Sequence, residues 1–318
     1  MGTNKINNRI NKKFAMEIQI KRVTKKLMNN IGFDLVRIKK PEDDAAHYLN
    51  LFNKESVNNK KFYNICGGGH FGFGGGFSHP CWTNVDYFMP SKLKPELNPE
   101  SEIAHDLLSL APLPVYSSSA ELVHSQYTIE HITDQAAEVF FNEVYRILKP
   151  GGVFRVVVPN NELDYIAYIN NDKHFFYWIE MFSKPELYKF LHLNMPLNQT
   201  SLEQIVLVHF AANASTIHID GAPERITDEQ FKDIIQKHKL EDAFDICVEK
   251  CSVEKQKLYR QNHINWWTNQ KLKFMLENAG FKTVYKLSCY QSSTPVMRNK
   301  DYFDKYWNNI ALFMEAVK

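Results

Sequence analysis

Phe62-Tyr63-Asn64-Ile65-Cys66-Gly67-Gly68-Gly69 is the stretch that decides how this chain is read. An apolar run that breaks into three glycines predicts a buried strand followed by a tight turn. Glycine permits the turn because it lacks a Cβ, and it lets bare backbone N–H groups approach a ligand. Seven of the thirteen glycines fall between Gly67 and Gly76. Trp82-Thr83-Asn84-Val85-Asp86 then predicts a second strand ending in a carboxylate. In doubly wound folds an acid at that place hydrogen-bonds the ribose hydroxyls. Strand, glycine loop and acid together predict a site for an adenosine-containing cofactor.

Outward from that stretch the pattern continues as alternating strands and helices. His105-Asp106-Leu107-Leu108 reads as a short third element, and Leu122-Val123 as a short fourth strand bracketed by Glu121 and His124. Thr133 or Asp134 caps a helix with Phe140, Val144, Ile147 and Leu148 on one face. Lys149-Pro150-Gly151-Gly152 ends that helix. Val153 to Val158 is nearly all apolar, as a strand covered on both faces must be. Residues 161–259 are predominantly helical in pattern and predict an insertion over the acceptor site. It carries an aromatic cluster (Tyr165, Tyr168, Phe175, Phe176, Tyr177, Trp178) and a capping box at Thr227-Asp228-Glu229-Gln230. Clusters of this kind are more often core than ligand platforms. Thr268 opens a further helix with Leu272, Met275, Leu276 and Ala279 on its buried face, ended by Gly280. Phe281–Tyr290 and Ile310–Val317 predict an antiparallel pair closing the sheet. The expected layout is a basic arm over 1–40, a core over 41–160 and 260–318, and the insertion over 161–259.

Charge is uneven. Residues 1–40 carry eleven Lys or Arg and two acids, a balance of +9, against −7 for the remainder and +2 overall. Ile6, Ile10, Phe14 and Ile18 form one stripe of a basic helix. Such a helix suits peripheral contact with an anionic membrane surface. It equally suits packing on the protein's own body, the commoner use of such stripes. Basic excess confined to the arm argues against nucleic acid as a partner. No apolar run approaches the ~18 residues of a membrane span, and the five scattered cysteines suit a reducing compartment. The expected location is the cytoplasm, with the inner membrane face as the place the arm would touch. Cys247 and Cys251 lie four apart and read as ordinary thiols, so no metal site is predicted.

Gly67, Gly69 and Gly72 satisfy G-x-G-x-x-G, with Asp86 fourteen residues beyond the last, which is formally a dinucleotide fingerprint. However, glycines continue through Gly74-Gly75-Gly76, where a dinucleotide fold should already be in its first helix, and no second mononucleotide-binding half follows. A nicotinamide-dependent oxidoreductase is therefore the alternative reading, and a non-catalytic partner protein of the same fold is a second.

Asn64 to Gly69, Trp82 to Tyr87, Glu130-His131-Ile132 and Leu148 to Gly152 resemble the successive motifs of class I S-adenosylmethionine-dependent methyltransferases, nearest to the type 11 group. His263-x-x-Trp266, Ala279-Gly280-Phe281 and the terminal Glu315-Ala316-Val317-Lys318 are similar to that group's C-terminal end. The resemblance covers roughly 60–160 and 260–318. Ile31-Gly32-Phe33-Asp34, the His79–Trp82 loop and the insertion resemble, more narrowly, methyltransferases of bacterial capsule and surface-polysaccharide clusters. The resemblance implies a Rossmann-like, mostly parallel α/β sheet with an antiparallel last strand and S-adenosyl-L-methionine as cofactor. It implies that Gly67, Gly68 and Gly69 pass along the methionine moiety and that Asp86 holds the ribose. Asp106 and the Leu107 amide would meet the adenine, with Ser125 and Gln126 on the rim near the sulfonium. The implied acceptor is a small molecule or glycan precursor, methylated on a sugar or phosphoryl oxygen. A hydroxyl acceptor needs a base, and Tyr127, His131, His218 and His263 are the candidates. Two positions depart from the family pattern. Glu121 replaces a common Asp, and Cys66 stands where the first glycine is usual, which is tolerable if positive φ is not required there.

Overall fold

The computed structural model describes residues 44–66, 77–87, 96 and 98–318, and absences below refer to those residues. The basic arm and the glycines from Gly67 to Gly76 lie outside them.

Seven strands form one sheet: β1 (Phe62–Ile65), β2 (Trp82–Asp86), β3 (Glu102–Ala104), β4 (Ala120–Gln126), β5 (Leu148–Pro159), β6 (Thr283–Leu287) and β7 (Ala311–Val317). Their order is β3-β2-β1-β4-β5-β7-β6. The first five run parallel, and β7 is antiparallel to both β5 and β6. The predicted antiparallel last strand is present and lies between β5 and β6. Because β1 leads outward to β2 and β3 while β4 lies on its other side, the chain reverses direction across the sheet at β1/β4. A crevice opens at the carboxyl ends of strands at such a reversal.

Three expectations about the strands need correction. The third strand is Glu102–Ala104, which has no apolar pattern, and Leu107–Ser109 is a 3-10 turn capped by Asp106. Strand β4 spans seven residues and includes Ser125 and Gln126, expected just beyond it. Two of its polar members find partners within the fold. His124 Nδ1 meets Asn64 Oδ1 at 2.7 Å, and Glu121 accepts from Lys149 and Ser56. The strand expected over 281–290 is only the five residues of β6.

Helices cover the sheet where the sequence caps them: α1 (Ala45–Leu51), α2 (Lys54–Asn58), α3 (Asp134–Ile147), α4 (Asn161–Ile169), α5 (Pro185–Phe190), α6 (Leu202–Phe210), α7 (Asp228–Lys237), α8 (Leu240–Val248), α9 (Val253–Leu258) and α10 (Asn269–Asn278). Thr133 accepts from Ala136 N to start α3, the capping box at Thr227 and Gln230 starts α7, and Thr268 starts α10. Gly280, at φ +108°, ends α10's turn, where an added Cβ would meet the Tyr145 ring.

Three apolar cores result, one of them built by Tyr48, Phe62, Trp82, Met297 and Phe303. On one face of the sheet, Phe140, Phe141, Val144 and Ile147 of α3 pack with Phe154, Val156 and Val158 of β5 and with Trp267, Leu272, Leu276 and Phe281. Each such fully buried side chain contributes ~1.5–3 kcal/mol. A second core gathers Phe176, Trp178, Phe210, Phe231 and Phe244, with Trp266 and Ile310. It is centred on α6, where Glu203 to Phe210 are all buried, the polar Gln204 and His209 finding partners in Asp228 and Asp164. The aromatic cluster joins this core, except Tyr177, which is exposed. None of the described helices is long and apolar enough to cross a membrane.

Candidate functional site

The register of the parallel strands gathers several of the expected site residues at one rim. Ile65 pairs with Val85 and with Ser125, so Cys66, Asp86 and Gln126 each follow one step later at the carboxyl edge. Asp86 pairs with Ala104, which brings β3 and the following Asp106 to the same edge. Burial, then the nearby Asp86 and Asp106 carboxylates, push the Cys66 thiol well above its ordinary pKa. Gly67, Gly68 and Gly69 lie outside the described residues.

Cys66 adopts φ +57°. The condition on which a cysteine was expected to be tolerable is therefore not met. The chain needs a left-handed residue here to leave β1, its N–H already donating to Val85 O at 2.7 Å. The strand direction fixes that conformation, and a Cβ makes it costly by about 1–2 kcal/mol.

Asp106 does two things. It accepts from Leu108 N at 3.0 Å, capping the turn that holds the buried Leu107. It also receives Arg260 in a bidentate pair at 3.0 and 2.9 Å. Burial opposes its charge, yet the Arg260 guanidinium outweighs burial and holds the carboxyl below its ordinary pKa. Arg260 in turn lies 3.6 Å over the Tyr87 ring, directly after Asp86. This clamp between the 3-10 turn, strand β2 and the segment after α9 was not visible in the sequence, because its parts lie far apart along the chain.

Ser125 Oγ and Gln126 Nε2 are buried with no hydrogen-bond partner among the described residues. Buried polar atoms are almost always satisfied, so each of these two is open to a partner beyond the described residues. Tyr127, at φ +53°, turns the chain out of the sheet.

The four candidate bases are not equivalent. The Tyr127 hydroxyl donates to Trp307 O at 2.9 Å, and burial pushes its pKa up. Both nitrogens of His218 are engaged: Asp220 N donates to Nδ1 at 3.2 Å, and the Asn262 side-chain amide lies 2.5 Å from Nε2. Since Nδ1 accepts, Nε2 carries the proton, and the otherwise unpartnered Asn262 Oδ1 is the amide atom that should face it. Burial lowers the His218 pKa to about 4. Its neighbour Asp220 is held by Lys255 and Tyr259.

His131 differs. It sits in a 3-10 turn (Ile129–His131) just before α3. Its Nδ1–H donates to Asn262 O at 3.0 Å, which leaves the Nε2 lone pair bare. Burial lowers its pKa to about 4, so the ring is neutral. His263 repeats the arrangement: Nδ1–H donates to His209 O at 2.7 Å, and burial keeps the ring neutral. The two rings meet edge to face at 4.7 Å. Beside them Glu130 is fully buried, and neither carboxylate oxygen has a hydrogen-bond partner. Burial pushes its pKa up to about 8, against the backbone amides of Glu130 and Thr128 that it faces. Glu130 was missed as a functional residue. The Glu-His dipeptide was its only sequence signal. Among the described residues Cys247 and Cys251 join no metal-ligating cluster, and burial raises both thiols, Cys251 to about 12.

Comparisons with known proteins agree with this geometry. Residues 83–156 match the family model described as a methyltransferase domain. The chain is 44% identical over 62 residues to a probable S-adenosylmethionine-dependent methyltransferase of Mycolicibacterium smegmatis, covering 20% of this chain and 23% of that protein. The chain thus matches about a quarter of that relative's length. Among solved structures, an S-adenosylmethionine-dependent methyltransferase from Mesorhizobium loti is 11% identical with TM-score 0.34, covering 86% of this chain and 96% of that one. A possible histamine N-methyltransferase from Thermotoga maritima is 13% identical with TM-score 0.33, covering 86% and 97%. At such scores those structures add no argument, and the fold is read from the strand order itself. With five parallel strands and an antiparallel seventh set between the fifth and sixth, the sheet has a Rossmann-like arrangement, and its part from β2 to β5 is the segment similar to a methyltransferase domain.

Proposed function

We propose that this protein transfers the methyl group of S-adenosyl-L-methionine to an oxygen of a sugar or phosphoryl group, in a precursor of a bacterial surface polysaccharide such as capsule. The observation that carries the methyltransferase reading is the single rim shared by Cys66, Asp86, Asp106, Ser125 and Gln126, within and beside the matched segment. Asp86 would hold the ribose hydroxyls, and the Asp106–Leu107 turn would meet the adenine. The orphaned Ser125 Oγ and Gln126 Nε2 would face the reacting end. The cofactor supplies an activated cationic methyl group, so the chain's residues mainly align the acceptor and exclude water. A hydroxyl acceptor must also lose a proton. Of the candidate bases, only His131 keeps a free lone pair in the turn after β4, and Glu130 and His263 stand with it. The polysaccharide acceptor rests on the narrower resemblance of residues 31–34, 79–82 and the helical insertion.

Calorimetric titration with S-adenosylmethionine, S-adenosylhomocysteine and NAD tests the cofactor. Binding of both sulfur compounds and not of NAD is expected. Binding of NAD alone would overturn the reading in favour of an oxidoreductase. A second reading, a non-catalytic protein of this fold, is favoured by one observation: the β-carbon-bearing, left-handed Cys66 at the first loop position. It predicts no cofactor affinity, or affinity without turnover.

A further inference from the structure

We infer that Glu130, His131 and His263 form a binding site for a divalent transition-metal ion of the zinc class, with one coordination position left open to an acceptor oxygen. One ligand atom from each lies within 4.8 Å of the other two. His131 Nε2 and Glu130 Oε1 are 3.9 Å apart. Ligands around tetrahedral zinc sit about 3.4 Å from each other, given bonds near 2.1 Å. Small side-chain rotations therefore close the site without moving the backbone.

Four independent features point to a cation. Each imidazole donates Nδ1–H to a backbone carbonyl, Asn262 O for His131 and His209 O for His263. That second contact is how metal-ligating histidines are fixed with Nε2 forward. The Asn262 carbonyl also accepts from Gln256 Nε2 at 2.7 Å, and the His209 ring is anchored by Asp164 at 2.7 Å. The Glu130 carboxylate is wholly buried with no side-chain hydrogen-bond partner among the described residues, an arrangement a protein rarely leaves uncompensated. Finally, Ile264 N donates to Glu130 O at 2.8 Å, so the segment bearing His263 is tied by its backbone to the turn bearing Glu130 and His131. Two histidines and one carboxylate are a ligand set used by zinc and by non-haem iron. The side chain of His131 is 25% exposed, which leaves a route for a fourth ligand.

The role of the ion rests on the methyltransferase reading; its binding does not. With the ion in place His131 is a ligand rather than a base. An acceptor hydroxyl would bind the ion and lose its proton to water. It would then form the O–C bond to the methyl as the C–S bond breaks, releasing neutral S-adenosylhomocysteine.

The test uses the full chain stripped with a chelator and titrated with Co²⁺, then Zn²⁺, without other ligands. One Co²⁺ per chain is expected, with visible bands of low-coordinate cobalt that Zn²⁺ abolishes. Glu130→Gln and His263→Gln should each weaken binding roughly tenfold or more, the least that disturbing a metal site usually costs. Urea unfolding of the same variants checks that they are folded, and Glu130→Gln preserves side-chain volume. No bands in the native chain, or bands unchanged in both variants, would overturn the site. Calorimetry with S-adenosylmethionine on the stripped protein separates the two readings: failure there sinks the methyltransferase and leaves the ion site standing.

Discussion

Two buried charge clusters flank the middle of this sheet, and they are built oppositely. Around Arg155 every guanidinium N–H is used: Nε and one terminal nitrogen reach Asp304 at 3.2 and 2.6 Å. The other reaches Glu315 at 3.1 Å and Gln291 O at 2.7 Å, and Ser288 O completes the set. The excess carboxylate charge is met by Tyr290 N and Ser293 N. Glu130, equally buried, has no side-chain hydrogen-bond partner among the described residues, and burial pushes its pKa up to about 8, which keeps it the neutral acid at pH 7. Burying a charge costs several kcal/mol, which only good partners offset. The first cluster is complete within the protein and joins β5 and β7 to the 288–304 segment. The second has no counter-charge among the described residues.

The comparison can be broken most directly by removing the centre of each cluster. Arg155→Met should cost about 3–5 kcal/mol, since it strands two buried carboxylates. Glu130→Gln should cost little, because no partner is lost. Urea midpoints measure both, and equal losses would remove the distinction.

A pH series sharpens it next. His124 lies between the clusters on β4, and burial, then the Arg155 charge, lowers its pKa from 6.5 to about 3. The unfolded chain takes up a proton below pH 6.5 that the folded chain refuses. The contribution of His124 is therefore complete above that pH and fades as pH falls toward 3. The slope expected is about 1.4 kcal/mol per pH unit. His131 and His218, both lowered to about 4, add in the same direction over pH 6.5 to 4. A stability that stays flat from pH 6.5 to 5 would show that these rings are solvated.

Smaller effects separate binding from folding. Asp86→Ala should weaken S-adenosylmethionine by about 1–3 kcal/mol, read by calorimetry. Unchanged affinity would take Asp86 out of the site. Cys66→Gly should stabilise by about 1 kcal/mol by relieving the φ +57° backbone. A loss of stability would mean that the thiol's burial outweighs the strain.

Much of the frame was legible because it is local. Val153–Val158 reads as a covered strand from its apolar run alone. The caps at Thr133, Thr227 and Thr268 read from one hydroxyl and the amides just beyond it. Strand β3 was not legible, since Glu102–Ala104 is three residues long with no periodicity. The length of β4 was hidden because His124 and Glu121 look like strand ends and are not. Asp106 shows the limit at the site. Its capping role follows from sequence, but its pairing with Arg260 does not.

By itself, then, the sequence determined the strands on either side of the glycine-rich stretch, the helix caps at Thr133, Thr227 and Thr268, and the fold class. Each depends on side-chain period, backbone propensity or a contact within one turn. Only the tertiary structure decided that Cys66 is left-handed, that Tyr127 and His218 are already engaged, and that Glu130, His131 and His263 face one another. Those outcomes depend on which distant backbone carbonyls and amides arrive beside a side chain once the sheet has closed. Hydrogen-bond satisfaction is a property of the whole fold, which spacing along one chain cannot express.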